Sequence, residues 1–252
     1  MIEVRSVSKR FGEVQVLRDI STRFEKGVVN QVIGKSGSGK SVLAKCIVGL
    51  HRPDEGDVLY DGRSFLEMGL EAKREVRKEI GMLFQSSALF DSMSVMENVM
   101  FPMRMFSDMK LDEMLERARF CLERVQIIGK DHLFPAELSG GMQKRVGIAR
   151  AIAMQPKYLF CDEPNSGLDP QTAILIDNLI KELTEEFNTT TIVITHDMNS
   201  VIETGQNIVF LHQGRKWWQG GRKELLNSDN PELNAFIFAS DMMRYAKRAM
   251  TS

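Results

Sequence analysis

The 252-residue chain carries 33 basic and 34 acidic side chains, a net charge of −1, and is 43% hydrophobic and 27% charged. That balance suits one large globular domain, or a domain with a subdomain, and it excludes the bulk positive field that holds nucleic acid or an anionic membrane surface. Cys46, Cys121 and Cys161 are scattered and lack CxxC spacing, which argues against a disulfide framework or a zinc site; Met1-Ile2-Glu3-Val4 is no basic-then-apolar leader, and no apolar run approaches the ~18–20 residues that cross a bilayer, so a partner would supply any spanning part.

Short strands are expected first: Met1–Val7 alternates, Val14–Phe24 is extended, and Val28–Ile33 runs into a glycine-rich loop. From Lys40 the apolar spacing of Val42, Leu43, Cys46 and Ile47 predicts a helix that Gly49 can stop. Pro53–Gly56 reads as a turn, and Val58-Leu59-Tyr60 before Asp61-Gly62 as a hairpin strand. A charged helix over 70–79 leads into a short strand, Ile80–Phe84, ending at Gln85. Half of the 16 methionines then fall between Met82 and Met114, and the residues from 86 onward read as helical, an insert into an α/β core extending to about 156. Ile148–Met154 continues a helix that Pro156 stops, Tyr158–Cys161 is a buried strand, 171–187 an amphipathic helix and Thr190–Thr195 another strand. Ile208–Leu211 and Lys216–Gln219 flank a turn at Gly214. Over 229–249 a last helix is expected, with Asn230 as its cap and Pro231 in its first turn. Strands alternating with helices imply a mostly parallel, covered sheet.

Residues Gly34-Lys35-Ser36-Gly37-Ser38-Gly39-Lys40-Ser41 form a G-x-x-x-x-G-K-[ST] phosphate cradle between a strand and a helix. There the backbone amides and the helix dipole favour anions, Lys40 would reach the β- and γ-phosphates, and Ser41 would ligate Mg²⁺. Asp162-Glu163 follow an apolar strand; Asp162 would hold Mg²⁺ through its water shell while Glu163 polarises the attacking water. Gln85 and His196 also close strands, the first able to touch Mg²⁺ or water, the second the γ-phosphate. Ser139-Gly140-Gly141 open a helical stretch beginning near Gln143 and offer a second phosphate site. One chain would not easily bring both sites to one γ-phosphate; a head-to-tail homodimer would.

In order and spacing, Gly34–Ser41, Gln85, Leu138–Met142, Asp162-Glu163, Ser166–Asp169 and His196 resemble the ATP-binding cassette (ABC) ATPases. The resemblance covers about residues 1–224. It implies an α/β fold, a P-loop NTPase (RecA-like) core with an antiparallel β subdomain and an inserted helical subdomain, and two cassettes that sandwich two ATP molecules with Mg²⁺. It implies Glu163 as catalytic base, His196 as switch histidine, Ser166–Asp169 as the loop crossing the dimer interface with Asp169 at the nucleotide, and Phe11 stacked on adenine, where the family more often has tyrosine. Met142 replaces the family's usual glutamine. More narrowly, Gly37–Leu43, Phe84–Asp91 and Leu138–Arg145 are similar to the Mla-type ATPases of bacterial phospholipid transport. That similarity implies a transmembrane permease and an MCE-domain lipid-binding protein as partners, no nucleic acid, and a place on the cytoplasmic face of the inner membrane, held through the permease. Leu89, Phe90 and the Met- and Phe-rich run to Met105 would give half their number to the insert's core and the rest to a groove for a permease helix. Trp217-Trp218 should point to opposite faces of a strand. Residues 225–252 are expected as a helical extension, with Leu233, Phe236, Ile237 and Met243 packing on their own domain or on the second subunit. A soluble ABC protein of translation or repair, or an ATP-dependent switch in cell division, is the competing reading.

Overall fold

The computed structural model describes residues 1–239. They form two compact units, one of Met1–Met68 with the chain from Ile194 onward, the other of Gly69–Val193.

The first unit opens with β1 (Ile2–Phe11) and β2 (Val14–Phe24), an antiparallel pair longer than the alternation predicts because bulges keep β1 paired past Val7. β3 (Val29–Ile33) is buried at every residue, as a strand covered on both faces must be. α1 (Lys40–Ile47) follows the glycine loop. β4 (Glu55–Tyr60) pairs with the free side of β1 and with the two-residue β5 (Arg63–Ser64), completing a four-stranded antiparallel sheet.

In the second unit, α2 (Leu70–Lys78) is charged and buries only Val76. β6 (Ile80–Leu83) follows. α3 (Val95–Phe106) starts at a reciprocal cap, Ser94 Oγ accepting from the Glu97 amide while the Glu97 carboxylate accepts from the Ser94 amide. α4 (Leu111–Arg124) and α5 (Gly140–Ile152) pack against α3 and each other, and Val99, Met103, Ala118, Leu122 and Ile148 on these helices are buried. Of the methionine-rich run, Val95, Val99, Met100 and Met103 are core, whereas Phe90 and Met105 are exposed. β7 (Tyr158–Asp162) is parallel to β6 on one side and has β8 (Thr190–Ile194) on the other, with α6 (Pro170–Phe187) between them in sequence.

The chain returns to the first unit through α7 (Met198–Thr204), a helix the apolar spacing does not predict, capped by Asp197. β9 (Asn207–His212) is parallel to β3 and antiparallel to β10 (Arg215–Gly220). α8 (Arg222–Leu226) and α9 (Pro231–Ile237) place Leu225, Leu233 and Ile237 in one core with Ile33, Val201, Ile208 and Phe210. The tail thus packs on its own protomer as far as Ile237. Asn230 caps α9 as expected, but the helix stops at Ile237; the remainder of the helix expected to 249, with Met243, lies outside the described residues. Trp218 packs on this core while Trp217 is exposed, its Nε1 donating to Glu232 at 3.2 Å.

Candidate active site

In the first unit the phosphate cradle grows from a buried strand. β3 ends at Ile33 beside Phe210 of β9, and the chain must turn at once into α1. Gly34 sits at φ +150, where a Cβ would lie 2.3 Å from the Leu211 carbonyl oxygen and 2.7 Å from Ser38 Oγ, so only glycine fits. Lys35, Ser36, Gly37 and Ser41 are exposed, whereas Ser38, Gly39 and Lys40 are buried. The Lys40 ammonium donates to the carbonyls of Gly34 at 2.7 Å and Lys35 at 3.2 Å, which seats a cation on the loop's rim. Ser38 Oγ is buried without a hydrogen-bond partner, at a cost of about 1–3 kcal/mol that a phosphate oxygen would relieve. Just before the loop, the Thr195 amide donates to the Val32 carbonyl at 3.2 Å, so His196 emerges exposed beside the start of the cradle. Phe11, at the end of β1, is 45% exposed, edge-on to His51 at 5.3 Å with the Lys9 ammonium 5.5 Å from its ring centre. A ring this exposed is not held for the core.

In the second unit two adjacent strand ends carry the next set. β6 and β7 run parallel with Leu83 opposite Cys161, so Gln85 and Asp162-Glu163 leave the sheet side by side, at the carboxyl ends where α/β sheets bind ligands. Gln85 Nε2 donates to Ser166 Oγ at 3.4 Å. Glu163 is left-handed, φ +48, an uncommon conformation for a residue with a Cβ. Its carbonyl accepts from the Ser166 amide at 3.2 Å and from the Lys144 ammonium at 3.3 Å.

Lys144 lies on α5, is 5% exposed, and also donates to the Gln85 carbonyl. Burial lowers its pKa, while Cys161, Asp162 and Glu163 oppose that shift. One and a half turns on, the Arg150 guanidinium donates to the carbonyls of Ser87 at 2.6 Å and Ala88 at 2.7 Å, both left-handed residues. Sequence reasoning passed over both cations. The available signal was Arg150 inside the otherwise apolar run from Val146 to Ile152, with Lys144 just before that run.

α5 begins at the second glycine turn, at Gly140 rather than near Gln143. Ser139 Oγ caps it by accepting from the Met142 amide at 3.3 Å. Gly141 is buried, and a Cβ there would meet Thr172 Cγ2 at 2.6 Å. Gly140 is exposed, with no neighbour closer than 3.7 Å to a Cβ and no positive φ. The Asp169 carboxylate caps α6, accepting from Thr172 Oγ1 at 2.6 Å and the Thr172 amide at 3.0 Å; the hydroxyl bond and then the amide bond hold it below the usual carboxylate range. The Ser139–Met142 turn and Gly167–Asp169 flank a cleft of about 430 Å³.

Residues 17–166 match the model of the ABC transporter family. The chain belongs to that family. It is an ATP-hydrolysing ABC transporter cassette, with the ABC ATPase fold expected from the sequence. A probable ribonucleotide transport ATP-binding protein, mkl, of Mycobacterium leprae is 36% identical over 94% of this chain and 68% of its own length. A methionine import ATP-binding protein, MetN, of Desulfitobacterium hafniense is 39% identical over 87% of this chain and 66% of its own. The cassette thus spans about two thirds of the length of these relatives. Among solved structures, the dimeric post-hydrolysis state of the cassette MJ0796 with ADP and Pi is 31% identical, with a TM-score of 0.80 over 88% of this chain and 99% of that one. The cassette cbiO1 of Clostridium perfringens, part of the cbiONQ transporter complex, is 29% identical, with a TM-score of 0.83 over 100% of this chain and 98% of its own. Among the described residues of the cassette no helix is long and apolar enough to cross a membrane.

Proposed function

We propose that two copies of this cassette close head to tail on two ATP molecules, driving a transmembrane permease that moves phospholipid or another hydrophobic molecule. Gly140 carries the dimer reading. It is exposed, has room for a Cβ and needs no unusual φ, so its own chain gives no reason for a glycine that costs a helix about 1 kcal/mol relative to alanine. A close approach from outside supplies the reason: a phosphate held by a second copy, lying against the amides at the start of α5. A dimeric assembly in MJ0796 and a multi-subunit complex around cbiO1 support the same arrangement.

In this reading Gly34–Ser41 bind the phosphates, Ser38 Oγ gains its missing partner, and Lys40 neutralises charge on the β- and γ-phosphates. Bound Mg²⁺ would neutralise phosphate charge; Ser41, Gln85 and Asp162 present the hydroxyl, amide carbonyl and carboxylate oxygens that suit a hard cation. Glu163 takes the proton of the attacking water, His196 holds the γ-phosphate and water in place, Phe11 stacks on adenine, and Asp169 fixes the Ser166–Asp169 loop. The cassette proper is residues 1–224, the extension following from 225.

The lipid assignment rests on the similarity of Phe84–Asp91 and Leu138–Arg145 to Mla-type sequences. It is supported by the exposure of Phe84, Phe90, Met105 and Phe106, large apolar side chains that a permease helix could cover. The assembly would also hold an MCE-domain protein at a bacterial inner membrane. The ribonucleotide transport of mkl and the methionine import of MetN favour a second reading, transport of a polar solute. Affinity purification from native membranes in mild detergent separates the two. Phospholipid transport requires a multi-span permease, an MCE-domain protein and bound phospholipid in the eluate; a solute-binding protein and ATPase stimulation by methionine or a ribonucleotide would sink it.

A further inference from the structure

α5 touches both halves of the proposed chemistry. At its start Ser139 and Gly140 are exposed and Gly141 is buried, and Lys144 follows at once on the buried face of the same helix. An α-helix advances 1.5 Å per residue, so turn and ammonium are carried on one rigid segment of roughly 8 Å. From there the ammonium bonds two carbonyls, those of Gln85 and Glu163, on separate strand ends. Arg150 bonds two more, those of Ser87 and Ala88. The loop after β6 is therefore tied to α5 at Gln85, Ser87 and Ala88, and the turn after β7 at Glu163. Three of these four residues are left-handed without being glycine: Ser87 at φ +61, Ala88 at φ +46 and Glu163 at φ +48. Such backbones persist where the surroundings over-determine them, and here cations on α5 take up the carbonyls. The φ of Glu163 also sets the direction in which its carboxylate leaves the strand.

We propose that Lys144 is a positioning residue for ATP hydrolysis: clamped on the Gln85 and Glu163 carbonyls, it makes the placement of the base depend on where the Ser139–Gly141 turn sits. This rests on the roles proposed above for Gly140 and Glu163. A turn that contacts one nucleotide and a base that serves another are thereby coupled through a single helix, which gives the dimer a route by which filling one site prepares the other. An ammonium suits this task because its three N–H donors can bond two carbonyls of different direction at once, where an apolar side chain of similar length bonds neither.

The test compares the full chain with Lys144→Met, Lys144→Arg and Glu163→Gln, measuring Mg-ATP turnover against ATP concentration and ATP-dependent dimerisation by size exclusion. Lys144→Met is expected to lower kcat at least about tenfold with KM changed less than about threefold, and to abolish cooperativity in ATP, while still dimerising with ATP. Lys144→Arg, which keeps a donor, recovers most of kcat. A parent-like kcat and cooperativity in Lys144→Met would overturn the proposal, as would loss of ATP-dependent dimerisation or a raised KM unrelieved by arginine, which mark a merely structural lysine. If Lys144→Met does not fold, Lys144→Gln is judged by the same outcomes. A Glu163→Gln protein that turns over normally overturns the underlying assignment of the base instead; an inactive Glu163→Gln beside a parent-like Lys144→Met refutes the coupling alone.

Discussion

At the start of α1 the chain's own backbone demands glycine, whereas at the start of α5 one glycine is demanded by nothing inside the chain. Gly34 has a carbonyl oxygen 2.3 Å from where its Cβ would be. Gly141 has the Thr172 methyl at 2.6 Å, a side-chain rather than a backbone neighbour. Gly140 has only Leu168 Cδ2, at 3.7 Å, an ordinary van der Waals contact. The two glycine turns differ again in capping: Gly39 precedes α1 with no side-chain cap, and Ser139 caps α5 with its hydroxyl. The first turn needs glycine for its own backbone; the second is an ordinary capped helix start with an exposed glycine, as the proposed contact from another protomer would require.

Substitutions can break this comparison or sharpen it. Glu163→Gln has the largest expected effect: ATP turnover falls by about 10²–10⁴, as for loss of a general base, while an ATP-bound dimer accumulates in size exclusion. Gly34→Ala and Gly140→Ala form the decisive pair. The first should lose ATP binding and lower Tm, since backbone must shift to admit the methyl. The second should leave Tm unchanged or raised, keep ATP binding to the isolated protomer, and lower turnover by about 10–10² by blocking an anion contact. Equal behaviour of the two variants would refute the distinction.

Phe11→Ala should weaken ATP binding about tenfold, within the range for one stacked base, with little change in Tm because the ring is exposed; equilibrium titration with a fluorescent ATP analogue measures it. The smallest effect concerns Cys161, the residue before Asp162. Burial pushes its thiol up to about 12, with the Asp177 charge adding to the shift. At pH 8 it is therefore protonated and should resist alkylation until denaturant is added, as mass spectrometry of iodoacetamide-treated protein would show.

Much of the fold was legible because the signals are local. The extended run of β3 into the glycine loop and the Asn230-Pro231 start of α9 each need only a few consecutive residues. Elements whose boundaries depend on distant partners were read less well. β1 continues to Phe11 only because β2 and β4 pair with it through bulges. α7 is too short for its apolar spacing to stand out, and α9 ends early. The packing of Leu233 and Ile237 on Phe210 joins residues more than 20 positions apart, which no periodicity within the tail could decide.

At the site the division is sharper. The roles proposed for Gly34–Ser41, Asp162-Glu163 and Ser139–Gly141 come from the sequence, because phosphate binding and water activation require particular residue types at fixed local spacing. By itself the sequence determined a nucleotide-hydrolysing cassette. Only the tertiary structure decided that Gly34 is glycine for its own fold while Gly140 is not, and that Lys144 and Arg150 hold the turns around Gln85 and Glu163. The reason is physical: a steric collision, or a buried cation's choice of carbonyl, is set by which backbone segments the fold brings within a few ångströms, and that proximity has no local trace in the chain.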